Sequence, residues 1–380
     1  MSTSPREVSV RILDAAFVRR GGPLRAALMG LADADRVAAA LPASAGASVI
    51  TGALHVAAPL ASLQAALAST LDGSLAASVR PAIEAAVDAW LDGPDDLPLG
   101  GGHDPLPTGT RTVIQGVLNV TPDSFSDGGT FLGADGDLAP AVAAGLRMAA
   151  AGADIIDVGG ESTRPGADPV SEELELARTV PVVRALAERD IVVSIDTTKA
   201  AVARAAVEAG ATIVNDVSAG RMDPELLPTV ADLGVAYVLM HMQGTPRTMQ
   251  HNPTYTDVVA EVFDDLADGL NRLEAIGVGL HRVIIDPGIG FGKTLEHNLL
   301  LLQRLRELTS LGRPVLVGAS RKSFIGHLTG TTDPADRLEG SLAAATLAVA
   351  GGARIVRVHD VAETTRAVSV AEAVRAAGGS

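Results

Sequence analysis

The chain has 380 residues, a formal charge of −15, no Cys, and few aromatics: six Phe, two Tyr and one Trp. Without Cys there can be no disulfide and no thiolate metal site. The acidic total argues against nucleic acid and anionic membranes as partners, and base-stacking platforms are largely excluded by the scarcity of aromatic rings. The length is about twice that of a typical domain, so a large barrel with an accessory piece is expected. Cations are lopsided, with 27 Arg beside three Lys: Lys199, Lys293 and Lys322.

Met1–Val8 contains Arg6 and Glu7 and leads into no apolar block, so no secretory signal is expected and the protein is taken as cytoplasmic. Val37–Leu71 carries no charge, but Pro42, Gly46, Gly52 and Pro59 interrupt it, which favours a buried soluble segment over a spanning helix. Residues 1–92 read as a small α/β accessory domain. Strand-like runs lie at Val8–Leu13 and Ala47–Val56, and Ala-rich helical stretches at Leu24–Leu41 and Leu60–Trp90. No chemical motif occurs there, and His55 stands alone. This domain could serve as a structural cap or as a module for oligomerisation or partner binding. Residues 93–110, rich in Gly, Pro and Asp, have the composition of a linker.

From residue 111 to 380 the pattern repeats. Short apolar runs at Val113–Asn119, Asp154–Gly159, Ile191–Asp196, Thr212–Asp216, Val235–His241, Arg282–Asp286, Pro314–Gly318 and Arg354–His359 each precede a helical stretch. Val259, Phe263, Leu266, Leu270 and Leu273 form one helical stripe, and Ser171 followed by Glu172 and Glu173 marks a helix start. Eight such units in about 270 residues match a (β/α)8 TIM barrel. An open doubly wound sheet would show a glycine fingerprint after its first strand, whereas here Asn119 leads into Val-Thr-Pro-Asp.

In such a barrel the site lies at the carboxyl ends of the strands, and every run delivers a polar group there. Arg164, Arg357, His359 and Thr163 suit a polyanion such as phosphate, which Arg grips bidentately. Asn119 offers a hard oxygen that fits Mg²⁺. Asp196, Asn215 and Asp286 suit a flat heterocycle with an amino-pyrimidine edge, and Lys322 could donate to a ring carbonyl or nitrogen. Other motifs fail: Gly288–Lys293 lacks the spacing of a Walker loop, His241 and His251 lack zinc-site spacing, and no G-x-S-x-G elbow occurs.

Asn119-Val-Thr-Pro-Asp-Ser-Phe-Ser-Asp-Gly-Gly129, Gly159-Gly-Glu-Ser-Thr-Arg-Pro-Gly166, Asp286–Lys293, Ser320-Arg-Lys-Ser323 and Arg357-Val-His-Asp360 together resemble the dihydropteroate synthase family of folate biosynthesis, from about Arg111 to the C-terminus. The resemblance implies condensation of dihydropterin diphosphate with 4-aminobenzoate, assisted by Mg²⁺, in what is commonly a homodimer. It implies that Asp196, Asn215, Asp286 and Lys322 bind the pterin, with Met240 and Phe291 lining the slot. Asn119 through the metal, and Thr163, Arg164, Arg357 and His359 directly, would hold the diphosphate. Phe125, Asp127, Pro165 and Ser323 would shape the 4-aminobenzoate site, with the two Gly- and Pro-bearing loops acting as lids. The catalytic set is then Arg164, Asp196, Lys322, Arg357 and His359, while Lys199 and Lys293 sit at the same rim without an assigned role. Pterin-dependent methyltransferases use a similar barrel but need no diphosphate grip; a catalytically silent pterin-binding homologue is the other alternative. If Arg164 stabilises the leaving group, Arg164→Ala should lower turnover by about 10²–10³. Steady-state kinetics within threefold of wild type would remove that role.

Overall fold

A computed structural model describes residues 9–14, 23–29, 38, 41, 47–50, 53–59, 63, 73–121, 138–162 and 169–377. The chain divides into two compact units, one made of Met1–Pro94 with Arg306–Arg313, the other of Asp95–Leu305 with Pro314–Ser380.

In the first unit, β1 (Ser9–Asp14), β2 (Pro23–Met29), β3 (Ser48–Ile50) and β4 (Ala53–Pro59) form an antiparallel sheet in the order β1-β2-β4-β3. Alternate residues (Val10 and Ile12, Ala26 and Leu28, Leu54, Val56 and Ala58) share a buried core with Val79, Ile83, Val87 and Trp90 of helix α1 (Gly73–Asp92). The period of two on the strands and near 3.6 on the helix brings their apolar faces into one cluster. Two sequence expectations are corrected here. Leu24–Met29 lies within the stretch expected to be helical, yet it belongs to the strand β2, paired on both sides, with β1 and with β4. Ala and Leu favour helix locally, but two hydrogen-bonded neighbours and a buried face outweigh that preference. Ala47–Val56 is not one strand but parts of two, which pair antiparallel with Val49 opposite Leu54. Side-chain contacts join Arg306–Arg313 to the rest of this unit. The Ile12 N–H donates to Ser310 Oγ at 3.2 Å, Arg306 lies over the Trp90 ring at 5.1 Å, and Arg11 pairs with Glu307 at 3.4 Å, both nearly buried.

The second unit is an eight-stranded parallel barrel. Its strands are β5 (Val113–Asn119), β6 (Ile155–Gly159), β7 (Val193–Asp196), β8 (Ile213–Asp216), β9 (Ala236–Met240), β10 (Val283–Asp286), β11 (Leu316–Val317) and β12 (Ile355–Val358). They hydrogen-bond in the order β10-β9-β8-β7-β6-β5-β12-β11, and a parallel bridge from Ile285 to Val315 brings β10 and β11 together. Each observed strand lies within the run expected for it. The outer helices are α2 (Ala139–Ala150), α3 (Glu172–Ala187), α4 (Ala200–Glu208), α5 (Leu226–Leu233), α6 (Val258–Ala275), α7 (Leu295–Gln303), α8 (Ser323–Thr329), α9 (Leu338–Ala350) and α10 (Val361–Ala377). Ser171 caps α3 by accepting from the Leu174 N–H, and Asp257 caps α6 by accepting from Val259 and Ala260. No helix among the described residues is long and apolar enough to cross a membrane.

The barrel interior is layered. Val113, Ile155, Ile213, Ala236, Ile284, Leu316 and Ile355, at or near the amino ends of their strands, pack with Leu97 and Leu106 into an apolar floor. Leu97 and Leu106 exchange backbone hydrogen bonds of 2.9 and 2.8 Å. The Gly/Pro-rich stretch 93–110 is thus a plug as well as a connector, because its few leucines complete a core that seven strands leave open. Polar residues occupy the opposite, carboxyl ends.

On the outer face, Phe263 is fully buried, in the middle of the α6 stripe. Phe263→Ala should lower the unfolding free energy by about 3–5 kcal/mol, measured by denaturant titration. A loss below about 1 kcal/mol would mean that the site collapses freely.

Candidate active site

At the carboxyl ends a cavity of about 630 Å³ opens. Asn119 at the end of β5, Asp196 at the end of β7, and Arg357 and His359 at the end of β12 line it. Phe291, Lys322 and Ser323 line it from the loops after β10 and β11. Asn215, Met240 and Asp286 are not among its lining residues; all three are buried. Phe125, Asp127, Thr163, Arg164 and Pro165 fall outside the described residues.

At the centre, the Arg357 Nε donates to Asp157 Oδ2 at 2.6 Å and its Nη2 to Asp196 Oδ2 at 2.7 Å. Asp157 has no exposed surface, and its Oδ2 also accepts from Asn215 Nδ2 at 3.0 Å, while its buried Oδ1 has no hydrogen-bond partner among the described residues. Burial pushes Asp196 up to about 7 against the opposing pull of Arg357, with Asp157, Glu175 and Asp216 adding like-charge repulsion. The Arg357 guanidinium is held charged by its two carboxylates despite burial. Asp157 is absent from the expected site set. An ionisable residue inside the apolar run Ile-Ile-Asp-Val-Gly was the signal that could have found it.

The wall from β10 is built on Gly288, whose φ is +66°. A Cβ there would sit 2.0 Å from the His241 carbonyl oxygen, so only glycine permits this turn. Asp286 Oδ1 accepts from the Gly288 N–H at 2.6 Å, and burial raises the Asp286 carboxyl despite the nearby Lys322. Phe291 packs against a cluster of Val217, Met240, Met242 and Met249. Lys322 Nζ lies 4.6 Å from the Phe291 ring centroid and donates to the Ile289 carbonyl. Burial brings Lys322 down to about 8, although Asp286 favours its charge.

The two lysines without an assigned role have partners of their own. Lys199 Nζ donates to both Glu161 and Glu175, at the foot of the loop after β6, and Arg178 donates to the Gly160 carbonyl at 2.9 Å. Glu175 is fully buried and Glu161 lines the cavity. Lys293, 3% exposed, contacts His241 Nδ1 and the Phe291 carbonyl, each at 2.9 Å. Burial holds His241 down to about 2, so its ring is neutral and Nδ1 can accept. Burial likewise brings Lys293 to about 7. Between about pH 7 and 10 the unfolded chain binds a proton at Lys293 that the folded chain has released, so this residue makes stability rise with pH across that window. The unfolding free energy of wild type relative to Lys293→Met should therefore increase from pH 7 to pH 10. A pH-independent difference in denaturant titrations would show that the amine titrates normally.

Residues 115–359 match the model of the family described as pterin binding enzyme. The dihydropteroate synthase of Synechocystis sp. is 47% identical over 282 residues, covering 74% of this chain and 96% of the relative. A Xanthomonas albilineans dihydropteroate synthase solved with 4-aminobenzoic acid is 48% identical, with a TM-score of 0.68 over 74% of this chain and 99% of the other. The same enzyme in complex with 7,8-dihydropteroate gives 46% and 0.62, over 70% and 94%. On family match, identity, coverage and barrel alike, the chain belongs to the pterin-binding enzymes, with the dihydropteroate synthases as its relatives.

Proposed function

We propose that this chain joins (7,8-dihydropterin-6-yl)methyl diphosphate to 4-aminobenzoate, releasing diphosphate and dihydropteroate. The observation that carries the reading is the Asp196–Arg357–Asp157 centre beside Lys322 and Phe291, in the barrel cavity of a pterin-binding family member. Asp196, Asn215 and Asp286 accept from ring N–H and amino groups, Lys322 donates to a ring carbonyl or nitrogen, and Met240 and Phe291 flank the ring. Thr163, Arg164, Arg357 and His359 hold the diphosphate. Phe125, Asp127, Pro165 and Ser323 bound the 4-aminobenzoate.

In the reaction, the bond from the pterin methylene to the diphosphate oxygen breaks and its electron pair leaves with the diphosphate. The cationic methylene that results is favoured by ionised Asp196. The aniline nitrogen then forms the new C–N bond and releases its proton. Asn119 would hold Mg²⁺: it presents an amide oxygen at a strand end, facing Gly159, where a Cβ would lie 3.5 Å from Oδ1. A single hard oxygen fits a cation that completes its shell with water and diphosphate. When bound, Mg²⁺ supplies charge neutralisation on the leaving group. The reading carries with it a cytoplasmic location and a homodimer. For the N-terminal unit it leaves two roles, a structural cap or a partner module.

With both substrates and Mg²⁺, diphosphate release should depend on 4-aminobenzoate; release without it, or none, would overturn the reading. If Asp196 must be ionised and Lys322 protonated, kcat/KM should rise through about pH 7 and fall above about pH 8. Asp196→Asn should remove the acidic limb, and a wild-type profile flat from pH 6 to 9 would exclude both assignments.

A further inference from the structure

Among the described residues, four non-glycine residues take a left-handed φ, and one of them, Arg321 at +59°, lines the cavity together with its neighbours Ser320 and Lys322. A side chain in this region costs free energy that its surroundings must offset. At Arg321 backbone and side chain are both engaged. Its N–H donates to Ser341 Oγ at 2.9 Å, and its carbonyl accepts from Arg337 Nη1 at 2.9 Å. Its Nε and Nη2 grip the two oxygens of Asp360 at 3.1 and 2.6 Å, a fork-to-fork pair with little exposure.

The partners of Arg321 tie together the elements around the loop. Asp360 follows β12 directly after His359, whose Nδ1 lies 3.1 Å from Ser320 Oγ, so two adjacent residues of one loop are cross-linked to two adjacent residues of the next. Ser341 stands on α9 and donates to the Arg337 carbonyl at 2.6 Å. Arg337 spans α8: besides the Arg321 carbonyl before the helix, it donates to Thr332 O at 2.8 Å beyond it. A Cβ on Gly326 would come within 2.8 Å of two Arg337 nitrogens, so glycine leaves the space that lets this guanidinium lie against the helix. The left-handed turn at Arg321 sends its own side chain toward β12 and the next one, Lys322, toward Phe291 and Ile289.

We propose that Arg321, its guanidinium spent on Asp360 and its backbone secured by Ser341 and Arg337, is a positioning residue that holds Lys322 against the pterin ring. This rests on the reading of the cavity as the pterin site. Arg321→Lys keeps the charge and loses the fork, and Asp360→Asn removes the charge that the fork holds.

Two probes separate the roles at equilibrium: 7,8-dihydropteroate, followed by fluorescence, and inorganic pyrophosphate, followed by calorimetry. Both variants should weaken dihydropteroate by about tenfold and leave pyrophosphate within twofold. The double variant should be no worse than the weaker single, because the two residues act as one unit. Ser341→Ala, which deletes one hydroxyl, should shift dihydropteroate in the same direction by a smaller factor and serves if Arg321→Lys does not fold. Unchanged dihydropteroate affinity overturns the proposal. So does a loss confined to pyrophosphate, which would make Arg321 a direct anion ligand. Equal loss of both probes, or additive losses in the double variant, also overturns it. A wild-type protein that binds neither probe would instead overturn the reading of the site, so the two failures are distinct.

Discussion

A guanidinium clamped between two buried carboxylates sets the terms for the mouth of this barrel. Burying a charge is expensive unless it is paired, and removing one partner leaves the other stranded. Arg357 therefore fixes Asp157 and Asp196, and Asp157 in turn fixes the amide of Asn215. Four strands (β6, β7, β8 and β12) are tied by these side chains across the barrel interior as well as by their ladders. Two carboxylates share this one guanidinium, and burial, with like-charge repulsion from its neighbours, raises Asp196 against the pull of Arg357. Such a centre suits a guest whose positive charge appears only during reaction, since the protein has already met the cost of desolvating the carboxylate.

The barrel separates chemistry from cohesion along its axis. Its floor, sealed by Leu97 and Leu106, is built mainly of aliphatic side chains and asks nothing of the residues above it except register. A shift of one residue in any strand would exchange floor and rim residues for those facing the helices. Around the rim the positive groups are embedded singly, each answered by its own acceptors: Arg357 by carboxylates, Lys322 by a carbonyl and a ring, Lys293 by a neutral imidazole. That local arrangement is how a chain of charge −15 can present cations to an anionic ligand.

The barrel was legible because its signals are local and repeated: eight apolar runs, each ending in or leading into polar residues, and helical stripes such as Val259–Leu273. The N-terminal unit was less so. Pro23–Met29 carries the Ala and Leu of a helix, and only its two neighbouring strands, distant in sequence, make it a strand. At the site, residue types at strand ends named Asp196, Lys322 and Arg357. They did not show that Arg357 spends two nitrogens on Asp157 and Asp196, nor why Lys293 is buried. Those are pairings between residues up to 200 positions apart, and a linear reading gives no distance between them. Arg321 was hidden for another reason, because a left-handed backbone at a long polar side chain leaves no mark on composition or periodicity.

Arg306–Arg313 belongs by packing to a unit whose other residues end at Pro94. A ribosome delivers the N-terminal sheet and α1 first, but Ser310, Arg306 and Glu307 reach their partners Ile12, Trp90 and Arg11 only after about two hundred further residues have emerged. The small unit cannot be finished before most of the barrel has been synthesised, so its completion reports that the seventh strand–helix repeat is about to be made.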